Sequence, residues 1–434
     1  MVTNFVEHAE KLTEKTIARR RDFHKYAESA WTEFRTAAIV ADTLSELGYQ
    51  VLAGAEVIDE QAMMGVPSVG ELDRHAERAL VQGANPEWVE KMRGGKTGVV
   101  GILKCAKPGP TIGLRFDIDA NDAVEADNES HRPAKDGFAS VNRGAMHACG
   151  HDGHAAIGLA VAEVLASVKN ELSGTIKLIF QPAEEGVRGA RAMSVKGVVD
   201  DVDYFLGLHL GFNTKQTGQL ACRIEGFLAT TKLDAIFTGV AAHAGAAPEA
   251  GRNALLAAAA AALNLHAIAR HSQGPSRINV GQLEAGTGRN VVPANAIIKL
   301  ETRGTTSTIN EYMYTEAMRI IKAAADMYGV QVETREMGGA AGAENDLCLV
   351  ERIEQVAGRL GIFNEIMPSC YFGASEDCTY FMERVQQHGG KAAYIMIGAA
   401  IAAGHHDFRF DFDESALTQA VALVSATAAE LLQA

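Results

Sequence analysis

A chain of 434 residues with 47% hydrophobic, 22% charged and 6% aromatic residues can bury a sizeable core over about two or three domains, which excludes a disordered protein. Its formal charge of −14, with no block of Lys or Arg, excludes a nucleic-acid partner. The longest apolar stretches, such as Ala254 to Leu263, fall well short of a membrane span, and the N-terminus alternates charges at helical spacing, unlike a secretory signal. Six widely separated cysteines then point to a reducing cytoplasmic setting, not a disulfide framework.

From Thr13 to Leu47 apolar residues recur at helical spacing and stop at Gly48, as in a helical hairpin closed by a glycine cap. Residues 55–95 are charged, Met-rich and broken by Gly and Pro, with a helical piece near Glu71 to Val81. They are expected to form a surface excursion that walls the site. Four short apolar runs follow, each ending in polar residues. TIGLRFDIDA ends at Asp117 and Asp119, TIKLIFQPAEEG at Glu184 and Glu185, DYFLGLHLG at His209, and KAAYIMIGAAIAAGHH at His405 and His406. With helices between them, these runs predict an α/β fold with a mixed, mostly parallel sheet. Ligands in such sheets bind at the carboxyl ends of the strands, so these acids and histidines should crowd one edge.

The pattern changes from Ala229. A strand KLDAIFTGV, a helix through AAHAGAAPEAGRNALLAAAAAALNLHAIARH, two strands (INVGQLEAG and NVVPANAIIKLETRG), a helix INEYMYTEAMRIIKAAADMYG and a strand VQVETREM give the order β-α-β-β-α-β. That order predicts a ferredoxin-like α+β domain over 229–337, inserted into a domain built from 1–228 and 338–434.

Cys149 and His151 sit two apart in MHACGHDGH, at the entry to an Ala-rich helix whose N-terminal dipole favours thiolate or carboxylate. Alone, this pair is as easily a structural loop. The adjacent Glu184 and Glu185 diverge at a strand end, so one can grip a metal while the other serves as general base. With His209 and His406 the set comprises one thiolate, three imidazoles and a carboxylate, plus a spare carboxylate. Five ligands exceed one tetrahedral structural zinc and suit two metals. Two other readings remain open: a thiol enzyme using Cys149 with His147 or His151, and a non-catalytic metal-binding subunit, for which the spare base would be superfluous.

MHACGHDGHAA, FQPAEEGVRGA, GLHLG, HAGAAPEAGRNALL and the HH before FDFDE, in this order from about Arg20 to the C-terminus, resemble the M20 metallopeptidase and amidohydrolase family, in its aminoacylase-like branch. The resemblance implies a phosphorylase/hydrolase-like catalytic domain with an inserted lid and dimerisation domain. It implies that Cys149, His151, Glu185, His209 and His406 bind two divalent ions, Mn²⁺ or Zn²⁺, with Glu184 as general base and Asp119 supporting the ligands. Asp117 falls where more distant members keep a metal histidine. His243 is implied to stabilise the oxyanion, Asn290 to contact substrate, and Arg289 or Arg303 to hold the substrate carboxylate. Arg188 stands where many members of the branch have glycine, and a cation there suits an acidic side chain. GASED at Gly373–Asp377 departs from the family's GSED, which weakens the case for a role of Ser375 or Glu376. In the opening loop, Asp152 and His154 are expected to shape the turn and cap the helix, with His147 behind the ligands. The implied activity is amide hydrolysis of an N-acyl or N-aroyl acidic amino acid such as p-aminobenzoyl-glutamate, with indoleacetyl-aspartate or N-acetyl amino acids as alternatives. The implied assembly is a homodimer through the inserted domain or a heteromer with a homologous second subunit.

Overall fold

The computed structural model describes residues 4–433. Its strands run, in chain order, β1 (Gln50–Ala53), β2 (Val99–Lys104), β3 (Lys107–Asp117), β4 (Ser173–Gln181), β5 (Tyr204–Leu210), β6 (Gln219–Ala221), β7 (Ile224–Glu225), β8 (Ala229–Thr238), β9 (Ser276–Ala285), β10 (Asn295–Gly304), β11 (Gln331–Ala340), β12 (Glu365–Met367), β13 (Cys370–Tyr371) and β14 (Lys391–Ile397). The chain divides into two compact units. One comprises the part up to Gly226, Glu344–Gly373 and the part from Asp377 onward; the other is Phe227–Ala343 with Ala374–Glu376.

The first unit holds a sheet in the order β1-β2-β4-β3-β5-β14-β6-β12. The four apolar runs picked out in the sequence are its centre: β4, β3, β5 and β14 lie side by side and parallel. The flanks are mixed, with β1 and β2 antiparallel to their neighbours and β6 antiparallel to β14. The helix His151–Val168 is apolar on all sides and accordingly buried, packed between β3 and the helices Phe5–Lys25 and Ser415–Leu431. Gly158 permits that packing, since a Cβ there would stand 2.7 Å from the Phe180 ring and 2.8 Å from that of Phe116. The N-terminal hairpin is Phe5–Lys25 and Phe34–Glu46, and the 55–95 excursion folds into helices Val69–Val81 and Pro86–Lys91. No helix among the described residues is long and apolar enough to cross a membrane.

The second unit is a four-stranded antiparallel sheet in the order β11-β8-β10-β9, with helices Ala254–His266 and Ser307–Tyr328. Buried residues alternate along β10, and Ile298 and Leu300 meet Phe237, Ala257, Met313 and Ile321 in a separate core. The helix expected from Ala241 onward begins only at Ala254, where Asn253 accepts the Leu256 N–H. The stretch before it instead forms extended bridges, Val240 with Arg252 and His243 with Val291. β11 runs on past Met337 through a bulge between Glu336 and Gly338.

Candidate metal centre

Because β3, β4, β5 and β14 are parallel, their carboxyl ends open on one edge, and the polar residues that close each run meet there. Two groups of ligand atoms lie within 4.8 Å of one another and share a sulfur: Cys149, His151 and His209 form one, and Cys149, Glu185 and His406 the other. Glu184 joins His151 and Glu185 in a third group.

The local chemistry aims each side chain. His151 is the first residue of its helix, entered through Gly150 at φ +96°, a turn that glycine takes without strain. Its Nδ1 lies 2.9 Å from the Asp119 carbonyl, which can only accept, so Nδ1 carries a proton and Nε2 faces the cluster. His209 repeats the device: Nδ1 donates to the Leu210 carbonyl at 2.8 Å, leaving Nε2 3.5 Å from Cys149 Sγ. His406 adopts φ +67° and donates its N–H to Ala148 at 2.7 Å, which places Nε2 3.5 Å from Glu185 Oε1. Asp119 accepts the N–H groups of Glu184 at 3.0 Å and Glu185 at 2.9 Å, so one buried carboxylate sets the backbone of both glutamates.

The electrostatics call for a cation. Burial penalises charge on His151, but Asp117, Asp119 and Cys149 outweigh it and raise its pKa well above the ordinary value. Burial and then Glu185 push the Cys149 thiol up, which disfavours a bare thiolate nucleophile. Burial likewise raises Glu185, with Asp119 adding to the effect. His151 Nε2 and Glu185 Oε1 are buried without a hydrogen-bond partner. Orphaned lone pairs in a thiolate, imidazole and carboxylate set fit divalent metal.

Residues 113–430 match the profile of peptidase family M20/M25/M40. The chain belongs to this family. One subunit of the p-aminobenzoyl-glutamate hydrolase of Escherichia coli (strain K12) is 53% identical over 410 residues, 94% of each chain. The indole-3-acetyl-aspartic acid hydrolase of Enterobacter agglomerans is 50% identical over 423 residues, 97% of each. The crystal structure of an aminobenzoyl-glutamate utilization protein from Klebsiella pneumoniae matches with a TM-score of 0.85 at 43% identity, covering 99% of this chain and 98% of that one.

Other polar residues of this M20 chain surround the cluster without joining it. Both Asp152 and His154 lie inside the first turn of the helix, where Asp152 Oδ1 accepts the Gly153 N–H at 2.9 Å and His154 makes no cap. His154 Nε2 accepts the Leu210 N–H at 3.0 Å while Nδ1 donates to Asp117, so the ring ties the end of β5 to the end of β3. Asp152 is anchored by Arg20 and His24. His147 is buried beside them with neither ring nitrogen partnered, and burial lowers its pKa to about 3. His405 stacks on Phe212 at 4.0 Å and donates to the Leu210 carbonyl, outside the cluster. Asp117 is paired with the buried Arg115 at 2.7 Å.

The remaining expected residues belong to the second unit, apart from Arg188. Exposed His243 and Asn290 are neighbours there, since Ala244 donates to the Asn290 carbonyl at 2.9 Å. Arg303 is forked onto Glu301 at 2.9 and 3.1 Å, whereas Arg289 is exposed. Arg188, in the first unit, donates to the carbonyls of Glu185 and Gly65.

Three supports escape the sequence. Glu33, raised to about 8 by burial and then by Asp119, accepts the N–H of Ala183, which is held at φ +53° just before Glu184. Asn121 accepts the Ala148 N–H at 3.0 Å and hydrogen-bonds Glu185. Asp377 accepts the Gly189 and Ala190 N–H groups beyond the glutamate turn. Glu33 and Asn121 lie in no motif, and Asp377 closes the GASED stretch, where no role was read for it; burial of a charged residue in an apolar stretch, as at Glu33 after Trp31, is the remaining signal.

Proposed function

We propose that this M20 chain hydrolyses the amide bond of an N-acyl or N-aroyl acidic amino acid, with p-aminobenzoyl-glutamate as the favoured substrate and p-aminobenzoate and glutamate as products. The observation that carries the reading is the pair of ligand triads sharing Cys149, with Glu184 beside them. Two divalent ions, Mn²⁺ or Zn²⁺, held by Cys149, His151, Glu185, His209 and His406, would polarise the amide carbonyl and acidify water. Glu184, partly exposed beside the cluster, takes the proton of the attacking water and returns it to the leaving amine. Asp119 positions both glutamates through their N–H groups.

The second unit is assigned as a ferredoxin-like lid and dimerisation domain. Its His243 steadies the oxyanion and its Asn290 contacts the substrate. Arg289 holds the α-carboxylate in preference to Arg303, whose guanidinium is spent on Glu301. Assembly is as a homodimer or with a homologous second subunit; the Escherichia coli relative is itself named as one subunit of its hydrolase. Free cysteines throughout suit the cytoplasm.

The relatives named for a glutamate and an aspartate conjugate share an acidic amino acid and differ in the acyl group, so acidity of the leaving amino acid is the better supported half of the specificity. The test is a hydrolysis panel of N-acyl-Glu, N-acyl-Asp and neutral analogues with Mn²⁺-loaded protein; absence of turnover on every acidic member refutes the reading. EDTA should abolish activity and added Mn²⁺ or Zn²⁺ should restore it. Persistence in chelator with loss on thiol alkylation would instead favour Cys149 as nucleophile. Arg188→Ala should raise KM for N-acyl-glutamate much more than for a neutral N-acyl amino acid, and equal rises on both would remove Arg188 from selection.

A further inference from the structure

Wholly within the first unit lies a cavity of about 650 Å³, a size that holds a small-molecule ligand. One wall is the 55–95 excursion, through Pro67, His75 and Arg78; another is Arg143 and its neighbours; Arg188 completes it. Two of its wall residues adjoin supports of the candidate centre. Its wall residue Asp122 follows Asn121, which bonds Ala148 next to Cys149, and Arg188 Nε donates to the Glu185 carbonyl at 2.8 Å.

The charges on these walls are unequal in commitment. Arg78 is spent on buried Glu28 at 2.8 Å. Arg188 meets backbone carbonyls, so its positive charge is uncompensated by any acid within bonding distance. Arg143 is exposed and has no bonded partner among the described residues. The lining acids Glu71 and Asp122 are both exposed, and Glu71 is turned to Ser68 and Arg74. His75 adds a neutral donor: Arg78 Nη1 lies 2.6 Å from its Nδ1 and can only donate, so the ring proton sits on Nε2. Burial and then Arg78 keep His75 below its ordinary pKa, so it stays neutral.

The unpartnered Arg143, the charge of Arg188 held only on backbone carbonyls and the His75 N–H supply donors for a carboxylate, with exposed Asp122 the opposing charge on the wall. We propose that this cavity binds the side-chain carboxylate of the acidic amino acid, with Arg143 as a specificity residue alongside Arg188, and that the 55–95 excursion is present to wall it. The proposal rests on the hydrolase reading for the identity of the ligand. It makes selection for an acidic side chain a property of the first unit.

The experiment is calorimetric titration of full-length, Mn²⁺-loaded protein with N-benzyl-L-glutamate and N-benzyl-L-glutamine, in which a CH₂ replaces the scissile carbonyl. The wild type should bind the glutamate compound at least about tenfold tighter than its neutral isostere, and Arg143→Gln should bring the two within about twofold. Because Arg143 makes no internal bond, its variant should melt with the wild type. A preference retained in Arg143→Gln, or absent from the wild type, overturns the subsite. Turnover of N-benzoyl-L-glutamate by the wild type is read alongside. No turnover with the binding preference intact overturns the hydrolase reading and leaves the subsite standing.

Discussion

Glu184→Gln should lower kcat on N-acyl-glutamate by about 10²–10⁴-fold while the protein still takes up two equivalents of Mn²⁺. The amide keeps the size and the backbone contact to Asp119, which runs through the Glu184 N–H, and removes only the ability to accept and return a proton. Glu184 is also the glutamate left over once the two Cys149 triads are filled, so its loss should leave metal content near that of the wild type. Glu185→Gln should behave differently, losing metal as well as rate, because Glu185 Oε1 is a buried orphan within reach of His406. Progress curves with metal analysis of each dialysed protein separate the two. A Glu184→Gln enzyme within about threefold of the wild-type kcat would move the general base to another residue.

That contrast was legible in the sequence because each residue concerned closes an apolar run, and parallel strands bring such ends together whatever the details of their flanks. β3, β4, β5 and β14 were readable for the same reason: fully buried strands are continuous apolar stretches. β2 was not picked out, and β3 begins after only Cys105 and Ala106, so that its first residues include the Pro108-Gly109-Pro110 stretch that reads as a turn. The pairing itself is unexpected from order alone, with β2 against β4 and not β3. The short strands β1, β6 and β12 owe their existence to a neighbour's free edge, which no local pattern encodes. In the second unit the Ala-rich stretch overstated its helix, since the bridges of Val240 and His243 and a single 3-10 turn at Pro248–Ala250 come before Asn253 caps it.

The supports around the site were least legible. Glu33, Asn121, His154 and Asp377 act through backbone N–H groups or partners far along the chain, and a sequence records neither distance nor direction. His154 illustrates the limit. The motif MHACGHDGH suggests a role for it in the turn and the helix cap, and only the Leu210 N–H on its Nε2 shows that its lone pair is committed to tying β5 to β3.

Arg20 is the support with the largest expected effect on stability. Its guanidinium is fully buried and reaches Asp152 at 2.7 Å, Asp411 at 3.0 Å and Glu414 at 3.2 Å. Asp152 follows His151, and Asp411 and Glu414 follow the loop that carries His406, so one side chain on the N-terminal helix clamps both ligand-bearing segments. Burial pushes Asp152 up, but Arg20 and His24 together hold it well below the usual carboxylate range, which marks it as a charge that depends on these partners. Arg20→Ala leaves that charge buried with His24 alone and should cost about 3–5 kcal/mol. Arg20→Lys restores charge without the planar fork and should recover only part of it. Because the clamp also fixes where His151 and His406 stand, both variants should bind Mn²⁺ about 10–100-fold more weakly, a change that a purely packing role would not produce. Thermal unfolding with and without EDTA reads the two effects separately. An Arg20→Ala protein that melts with the wild type would mean that His24 and Arg132, which already pairs with Asp411 and Glu414, carry the network without it.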